Sequence, residues 1–247
     1  MTATATETVP AGLNTLSGGI RYYNAAGPVP AVTVRLHGAV ELSAQTDAAG
    51  QFAIPNLPSG TLSLQPEKQG DFDGGINAFD LVYAIEAAAG VRKLTAAQQL
   101  ACDVSGNGKV TAVDVALILD HILRGTRFPV ALQCGSDWVF VPSPATAPNQ
   151  QVIQPRIASG SCQPGAVTFD PLVASASNQD FTAILFGDCT GNWQPAGAAT
   201  GGGASAPNRR TSLARSVLRR LYAPRSSPPH LLLNAPSAFP DIEATPR

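Results

Sequence analysis

The residues whose types and spacing carry the most chemistry lie between 103 and 114, in the run Asp103-Val-Ser105-Gly-Asn107-Gly108-Lys109-Val110-Thr111-Ala-Val-Asp114. Oxygen-bearing side chains fall at the first, third and fifth places, Gly108 at the sixth, Thr111 at the ninth and an acid at the twelfth. The seventh residue, Lys109, offers its backbone carbonyl. That is the ligand order of a 12-residue calcium loop. Ca²⁺ is a hard cation that takes six to eight oxygens at ~2.3–2.6 Å, and alternating donors on a tightly turning chain point inward. Gly108 permits the reversal. Asp114 falls in the first turn of a helical pattern, so an ion held here would tie bend to helix. The bland alternative is an Asx/Gly turn ahead of a capped helix.

An internal repeat strengthens the metal reading. An offset of 34 superposes Asp80 on Asp114, Leu81 on Val115, Ile85 on Leu119, Glu86 on Asp120 and Ala89 on Leu123. The earlier copy has a shortened loop, Asp71-Phe-Asp73-Gly-Gly75-Ile76-Asn77-Ala-Phe-Asp80, in which Asp71 and Asp80 are nine apart rather than eleven. Matching from both ends places a two-residue deletion at position five and the glycine after it. Asp71, Asp73 and Asp80, the carbonyl of Gly75 and the side chain of Asn77 remain as candidate donors, with a metal-free capped turn as the alternative. Ile76 matches Val110, the expected small β contact between paired loops. A third fragment, Asp188-Cys189-Thr190-Gly191-Asn192-Trp193, echoes Asp103 to Asn107 but lacks the second half and its closing acid. It reads first as a strand-ending Asx turn. The functional alternative is that it lends an oxygen to a neighbouring site or caps the module.

Helices must position these loops. Residues 78–89 and 112–124 are apolar at helical spacing, with Gly90 and Gly125 following as stops. Thr95-x-x-Gln98 opens a shorter helix at 95–101 with a capping-box pattern. On either side the text is β-prone: 20–23, 32–36, 43–46, 52–54 and 62–64 before the helices, and 138–141, 151–155, 167–169 and 181–186 after them. Val32, Val34 and Leu36 alternate with Thr33, Arg35 and His37, the period of a half-buried strand. Asp47-Ala-Ala-Gly50 marks a hairpin turn.

Two resemblances follow from these motifs. The run TDAAGQFAIPNLPSGTLSLQP resembles the end of carboxypeptidase-regulatory-like and collagen-adhesin B-type modules, which implies a non-catalytic antiparallel β-sandwich spacer at 16–67. The tandem loops, each feeding a helix, resemble the type I dockerin module at about 69–126. That resemblance implies a three-helix fold, two Ca²⁺ ions and docking onto a cohesin partner in polysaccharide-degrading assemblies. It carries ligand roles to Asp103, Ser105, Asn107, Lys109 (carbonyl), Thr111 and Asp114, and to Asp71, Asp73, Gly75, Asn77 and Asp80. Dockerin recognition usually uses Ser/Thr-type pairs at loop positions 10 and 11. Here they are Ala78-Phe79 and Ala112-Val113, whose apolar character suggests cover from the chain's own β segments, an intramolecular docking in place of a cohesin.

Composition bounds the rest. Of 247 residues only 13% are charged, against roughly 25% in ordinary globular chains, and 44% are hydrophobic. The net charge of -1 argues against a cationic nucleic-acid binder, and no run of ~20 apolar residues argues for a membrane span. The 16 Lys/Arg and 17 Asp/Glu are split unevenly: residues 201–247 hold seven Arg and two acids, and residues 1–200 hold nine Lys/Arg and 15 acids. Cys102, Cys134, Cys162 and Cys189, spaced by 32, 28 and 27, lack zinc-type pairing. They read as two disulfides in an extracellular or cell-surface setting, four buried thiols being the alternative. Cys102 and Cys189 each flank a loop-type Asp, which favours Cys102–Cys189 with Cys134–Cys162 among three pairings. The opening residues lack a basic start and apolar stretch, so the chain is expected to be a piece of a longer exported protein.

His37, His121 and His230 are scattered, and nothing in the spacing of Asp170, Asp180 and Asp188 singles out a glycosidase pair, so no catalysis is expected. The reading is a multi-module chain: flexible lead-in (1–15), β-sandwich (16–67), small α-helical dockerin-like double calcium-loop module (68–127), β-rich disulfide-linked segment (128–195) and disordered tail (196–247). The tail contains an amphipathic stretch at 209–222. The expected role is a non-catalytic, calcium-stabilised docking module. The alternatives are a fragment of a polysaccharide-degrading (glycoside hydrolase-type) protein with its catalytic domain elsewhere, and a cytosolic calcium sensor.

Overall fold

Strand-forming runs at both ends and helical text between them set the order of elements. The structure, a computed structural model, describes residues 13–24, 27–158 and 160–195. The chain divides into two units, Met1–Ala198 and Ala199–Arg247, and every described residue belongs to the first. The expected tail helix at 209–222 and most of the expected lead-in fall outside the described residues.

Five strands come first: β1 (Asn14–Tyr22), β2 (Thr33–Gly38), β3 (Leu42–Gln45), β4 (Gln51–Leu57) and β5 (Gly60–Glu67). Helices α1 (Ala78–Ala88), α2 (Ala96–Cys102), α3 (Ala112–Arg124) and α4 (Pro129–Cys134) follow. The chain then returns to strands β6 (Trp138–Pro142), β7 (Gln150–Ile153), β8 (Arg156–Ala158), β9 (Ser161–Gln163), β10 (Ala166–Leu172) and β11 (Phe181–Leu185). The helix starts have identifiable causes. Asn77, Thr95 and Thr111 each accept a backbone N–H of the first turn, while Asp80, Gln98 and Asp114 reach back to the cap. These reciprocal boxes satisfy donors that a helix otherwise leaves unpaired. Helix α3 ends at Gly125 in the left-handed conformation, where a side chain would strain the backbone. Helix α4 and the β8–β9 ladder were not anticipated: α4 is only six residues long, and the short strands carry no clear alternation.

The strands assemble as β4-β1-β11-β6 in one sheet and β3-β2-β5-β10-β7 in another, with β8-β9 as a separate pair. Strand β1 runs parallel to β11, Ile20 opposite Phe181. Strand β5 runs antiparallel to β10, Leu64 opposite Val167. This corrects the expected boundaries. The strands of 16–67 do not close a sheet pair by themselves; those of 128–195 lie beside them in both sheets. The open ladder edges of β1 and β5 demand partners, and β11 and β10 supply them. Leu16, Ile20, Val34, Leu36, Leu62 and Leu64 therefore share one core with Phe140, Val167, Phe169, Phe181 and Leu185. Each such side chain contributes about 1.5–3 kcal/mol on full burial.

Strands β6 and β11 are buried on both faces. Trp138, Phe140, Ala183 and Leu185 enter the core between the sheets. Val139 and Ile184 point the other way, into a second cluster with Ala84, Ala101, Val104, Ile118, Phe128 and Val130 from the helical segment. The nearly continuous apolar runs of these strands are what two-sided burial requires. The outer face of this sheet thus forms a platform for the helices and the loops that precede them.

Candidate metal centre

In the loop of residues 103–114 the backbone wraps around two buried carboxylates. Asp103 Oδ1 accepts from Gly106 N (3.0 Å), Asn107 N (3.1 Å) and Ser105 Oγ (3.2 Å), and its Oδ2 accepts from Gly108 N (2.6 Å). Asp114, fully buried, accepts from Ser105 N (2.9 Å) on one oxygen and from Thr111 N (2.8 Å) and Thr111 Oγ1 (3.0 Å) on the other. Asn107 Oδ1 accepts from Lys109 N at 2.9 Å. Asp103, Ser105, Asn107, Lys109, Thr111 and Asp114 are thereby joined in one hydrogen-bonded bend leading into α3. Burial pushes the Asp103 carboxyl above its ordinary range, and the charge of Asp114 adds to this; hydrogen bonds from Gly108 and Asn107 pull the other way. A divalent ion held between the two carboxylates would offset that like-charge repulsion.

The first loop is arranged differently from its sequence. Asp71 turns to Lys68, its carboxylate 2.9 Å from Nζ, and its carbonyl accepts from Trp193 Nε1 at 2.9 Å. Asp73 is exposed. Asp80 is buried, and its Oδ2 accepts from Asn77 N at 2.8 Å. Its Oδ1 accepts from Thr190 N (2.9 Å) and lies 2.8 Å from Thr190 Oγ1. The neighbour of Asp80 is therefore the Asp188–Trp193 fragment, 110 residues downstream. In that fragment Asp188 Oδ1 accepts from Gly191 N (2.7 Å) and Asn192 N (3.1 Å), and Oδ2 from Trp193 N (2.8 Å). Tyr22 donates its hydroxyl to Asp188 Oδ2 at 2.6 Å; burial raises the Tyr22 hydroxyl far above its ordinary value, so it remains a donor. Asp80 is pushed up to about 6 by burial, with hydrogen bonds from Thr190 and Asn77 opposing and the charge of Asp188 reinforcing. The fragment is more than a strand-ending turn. Its echo of residues 103–107 was the available signal, and its missing second half concealed its role.

Among the described residues no three His, Cys, Asp or Glu side chains gather as a metal-binding group. A cation at either place would be held by two carboxylates and neutral oxygens. An all-oxygen set of this kind suits a hard divalent ion. The disulfides join Cys102 to Cys189 and Cys134 to Cys162. The first ties the residue before Asp103 to the residue after Asp188.

Helices α1 and α3 pack on each other and bury Ala84 and Ile118 toward the sheet. Their opposite faces are open. Phe79 is 74% exposed, Val113 55% and Leu123 69%, and Val82, Ile85, Leu119 and Ile122 are exposed with them. Among the described residues no β segment covers Ala78-Phe79 and Ala112-Val113, which are all exposed, in place of the expected cover. The sheet is already engaged by the helices' other side. Residues 70–123 match the Dockerin type I domain. The matched span begins one residue before Asp71 and ends in the last turn of α3. Dockerin domains are non-catalytic docking modules of multi-modular extracellular or cell-surface proteins; they bind calcium and typically dock onto cohesins. No curated protein matches the chain. No described helix is long and apolar enough to cross a membrane.

Proposed function

We infer that this chain presents a calcium-stabilised docking surface within a secreted or cell-surface protein, and that its partner is a cohesin-type domain received by α1 and α3. The observation that carries the reading is the duplicated apolar stripe. At the 34-residue offset Ala78 and Phe79 correspond to Ala112 and Val113, Val82 to Ala116, Ile85 to Leu119 and Ala89 to Leu123, and all ten are exposed. Helical spacing lines each set along one face. Such a face is an interaction surface rather than scattered apolar residues. Its apolar loop positions 10 and 11 favour a partner with an apolar counterpart over one that reads hydroxyl pairs.

Calcium serves this surface structurally. Asp103, Ser105, Asn107, Thr111 and Asp114, with the carbonyl of Lys109, would hold the ion; bound, it supplies a fixed positive charge that neutralises Asp103 and Asp114. The cap residue Thr111 and the acid Asp114 then fix where α3 begins and how Val113 is presented. Capture of purified cohesin-type domains on the immobilised full chain tests the reading. Capture is expected in calcium, lost in chelator, and weakened on the order of tenfold or more by Phe79→Asp with Leu123→Asp. Equal capture across these conditions refutes it.

A further inference from the structure

We propose that the chain contains a second calcium site assembled from two distant segments: Asp188, Thr190 and Asn192 from the end of the sheet, with the carbonyl of Gly75 and the carboxylate of Asp80 from the start of α1. The proposal rests on the calcium reading of residues 70–123 and replaces Asp71 and Asp73 as first-loop ligands.

Two observations carry it. The first is correspondence with the intact loop, bond by bond. Asp103 receives the N–H groups of residues three, four and five places on, at 3.0, 3.1 and 2.6 Å. Asp188 receives the same three, at 2.7, 3.1 and 2.8 Å. Asp114 accepts from Ser105 N at 2.9 Å and from the helix-cap residue Thr111 N at 2.8 Å. Asp80 accepts from Thr190 N at 2.9 Å and from its cap residue Asn77 N at 2.8 Å. Thr190 thus stands where Ser105 stands, Asn192 where Asn107 stands, and Gly75 where Lys109 offers its carbonyl. The two residues missing from the first loop are restored by chain 110 residues away.

The second observation is a crowd of oxygens. The end of the Asn192 side-chain amide lies 3.0 Å from Thr190 Oγ1, 2.8 Å from the carbonyl oxygen of Gly75 and 3.1 Å from Asp188 Oδ1. Thr190 Oγ1 is in turn 2.8 Å from Asp80 Oδ1 and 3.2 Å from Asp188 Oδ1. Four oxygens, Thr190 Oγ1, Asp80 Oδ1, Asp188 Oδ1 and the Gly75 carbonyl, therefore gather about the Thr190 hydroxyl and the end of the Asn192 amide. Acceptors repel at these separations, and neighbouring ligands of a seven-coordinate Ca²⁺ are held about 2.8–3.4 Å apart by their ~2.4 Å bonds to the ion. With its NH₂ turned inward the amide donates to these oxygens and its own oxygen accepts from Asn77 Nδ2 at 2.9 Å, the metal-free arrangement. A bound cation would turn the amide oxygen inward in its place. Two carboxylates balance the ion's charge. Ion binding would fasten Asp188–Trp193 to the head of α1, as the Cys102–Cys189 bridge fastens it to the head of the other loop.

Calcium stoichiometry by titration calorimetry on the disulfide-intact full chain tests this. The parent is expected to bind two equivalents, Asp188→Asn and Asp103→Asn one each, and Asp71→Asn and Asp73→Asn two. Asn192→Asp adds a ligand charge at an exposed position and tightens one of two sites on the order of tenfold. Terbium in place of calcium, excited through the indole of Trp193, reports the composite site: its luminescence persists in Asp103→Asn and disappears in Asp188→Asn. If Asp71→Asn loses an equivalent while Asp188→Asn keeps two, the site is the contiguous loop and the proposal fails. It also fails if the parent binds one equivalent, Asp103→Asn binds none and Asn192→Asp changes nothing; the dockerin calcium reading then survives. A parent that binds no calcium ends both.

Discussion

Cleaving the Cys102–Cys189 bridge should be the most damaging covalent change available to the fold, and its size can be worked from chain length. The bridge closes 87 residues and encloses the second, Cys134–Cys162, which closes 28. Because the inner bridge shortcuts the chain, the effective outer loop is about 60 residues, and its closure entropy is worth about 4.3 kcal/mol. The inner bridge alone is worth about 3.6 kcal/mol on the same basis. Both Cys102 and Cys189 are fully buried among Ala84, Ala101, Ile184 and Phe186, so alanine replaces them without burying a polar atom. At about 2–4 °C per kcal/mol for a fold of this size, Cys102→Ala with Cys189→Ala should melt roughly 9–17 °C below the parent. Differential scanning calorimetry in chelator isolates this term from metal binding, with a urea midpoint as the check. A drop of under ~2 °C, or a larger loss from Cys134→Ala with Cys162→Ala, would refute the chain-entropy argument.

Three further outcomes follow from the same geometry. Asp103→Ala strands the N–H groups of Gly106, Asn107 and Gly108 and should cost about 1–3 kcal/mol even in chelator. In calcium the gap should widen, because a bound ion at one hundred times its dissociation constant adds about 2.7 kcal/mol to the parent alone; thermal melts with and without chelator read both. Gly18→Ala would place a Cβ 2.3 Å from the Gln179 carbonyl oxygen, backbone that cannot rotate away, and should cost about 1–3 kcal/mol in urea unfolding. Trp193→Ala removes a buried indole packed at 4.8 Å from Trp138 and 5.1 Å from Tyr22, and should cost about 3–5 kcal/mol, visible as a lowered urea midpoint.

What the sequence determined by itself was local: the order of oxygen-bearing side chains from Asp103 to Asp114, the capping box at Thr95-Gln98, and strands near their observed places. These are encoded in spacings of two to eleven residues, over which bond geometry and backbone hydrogen bonding act directly. The repeat at offset 34 likewise announced a second helix and a damaged loop. What only the tertiary structure decided was which strands and which loop halves meet. Alternation fixes the face of β1 and β5 but says nothing of partners β11 and β10 more than one hundred residues later, because ladder bonds between backbones carry no sequence label. For the same reason Asp80 could be recognised as the closing acid of a shortened loop that began at Asp71, while its neighbour, the Asp188 fragment, was set by where the sheet delivers the end of β11.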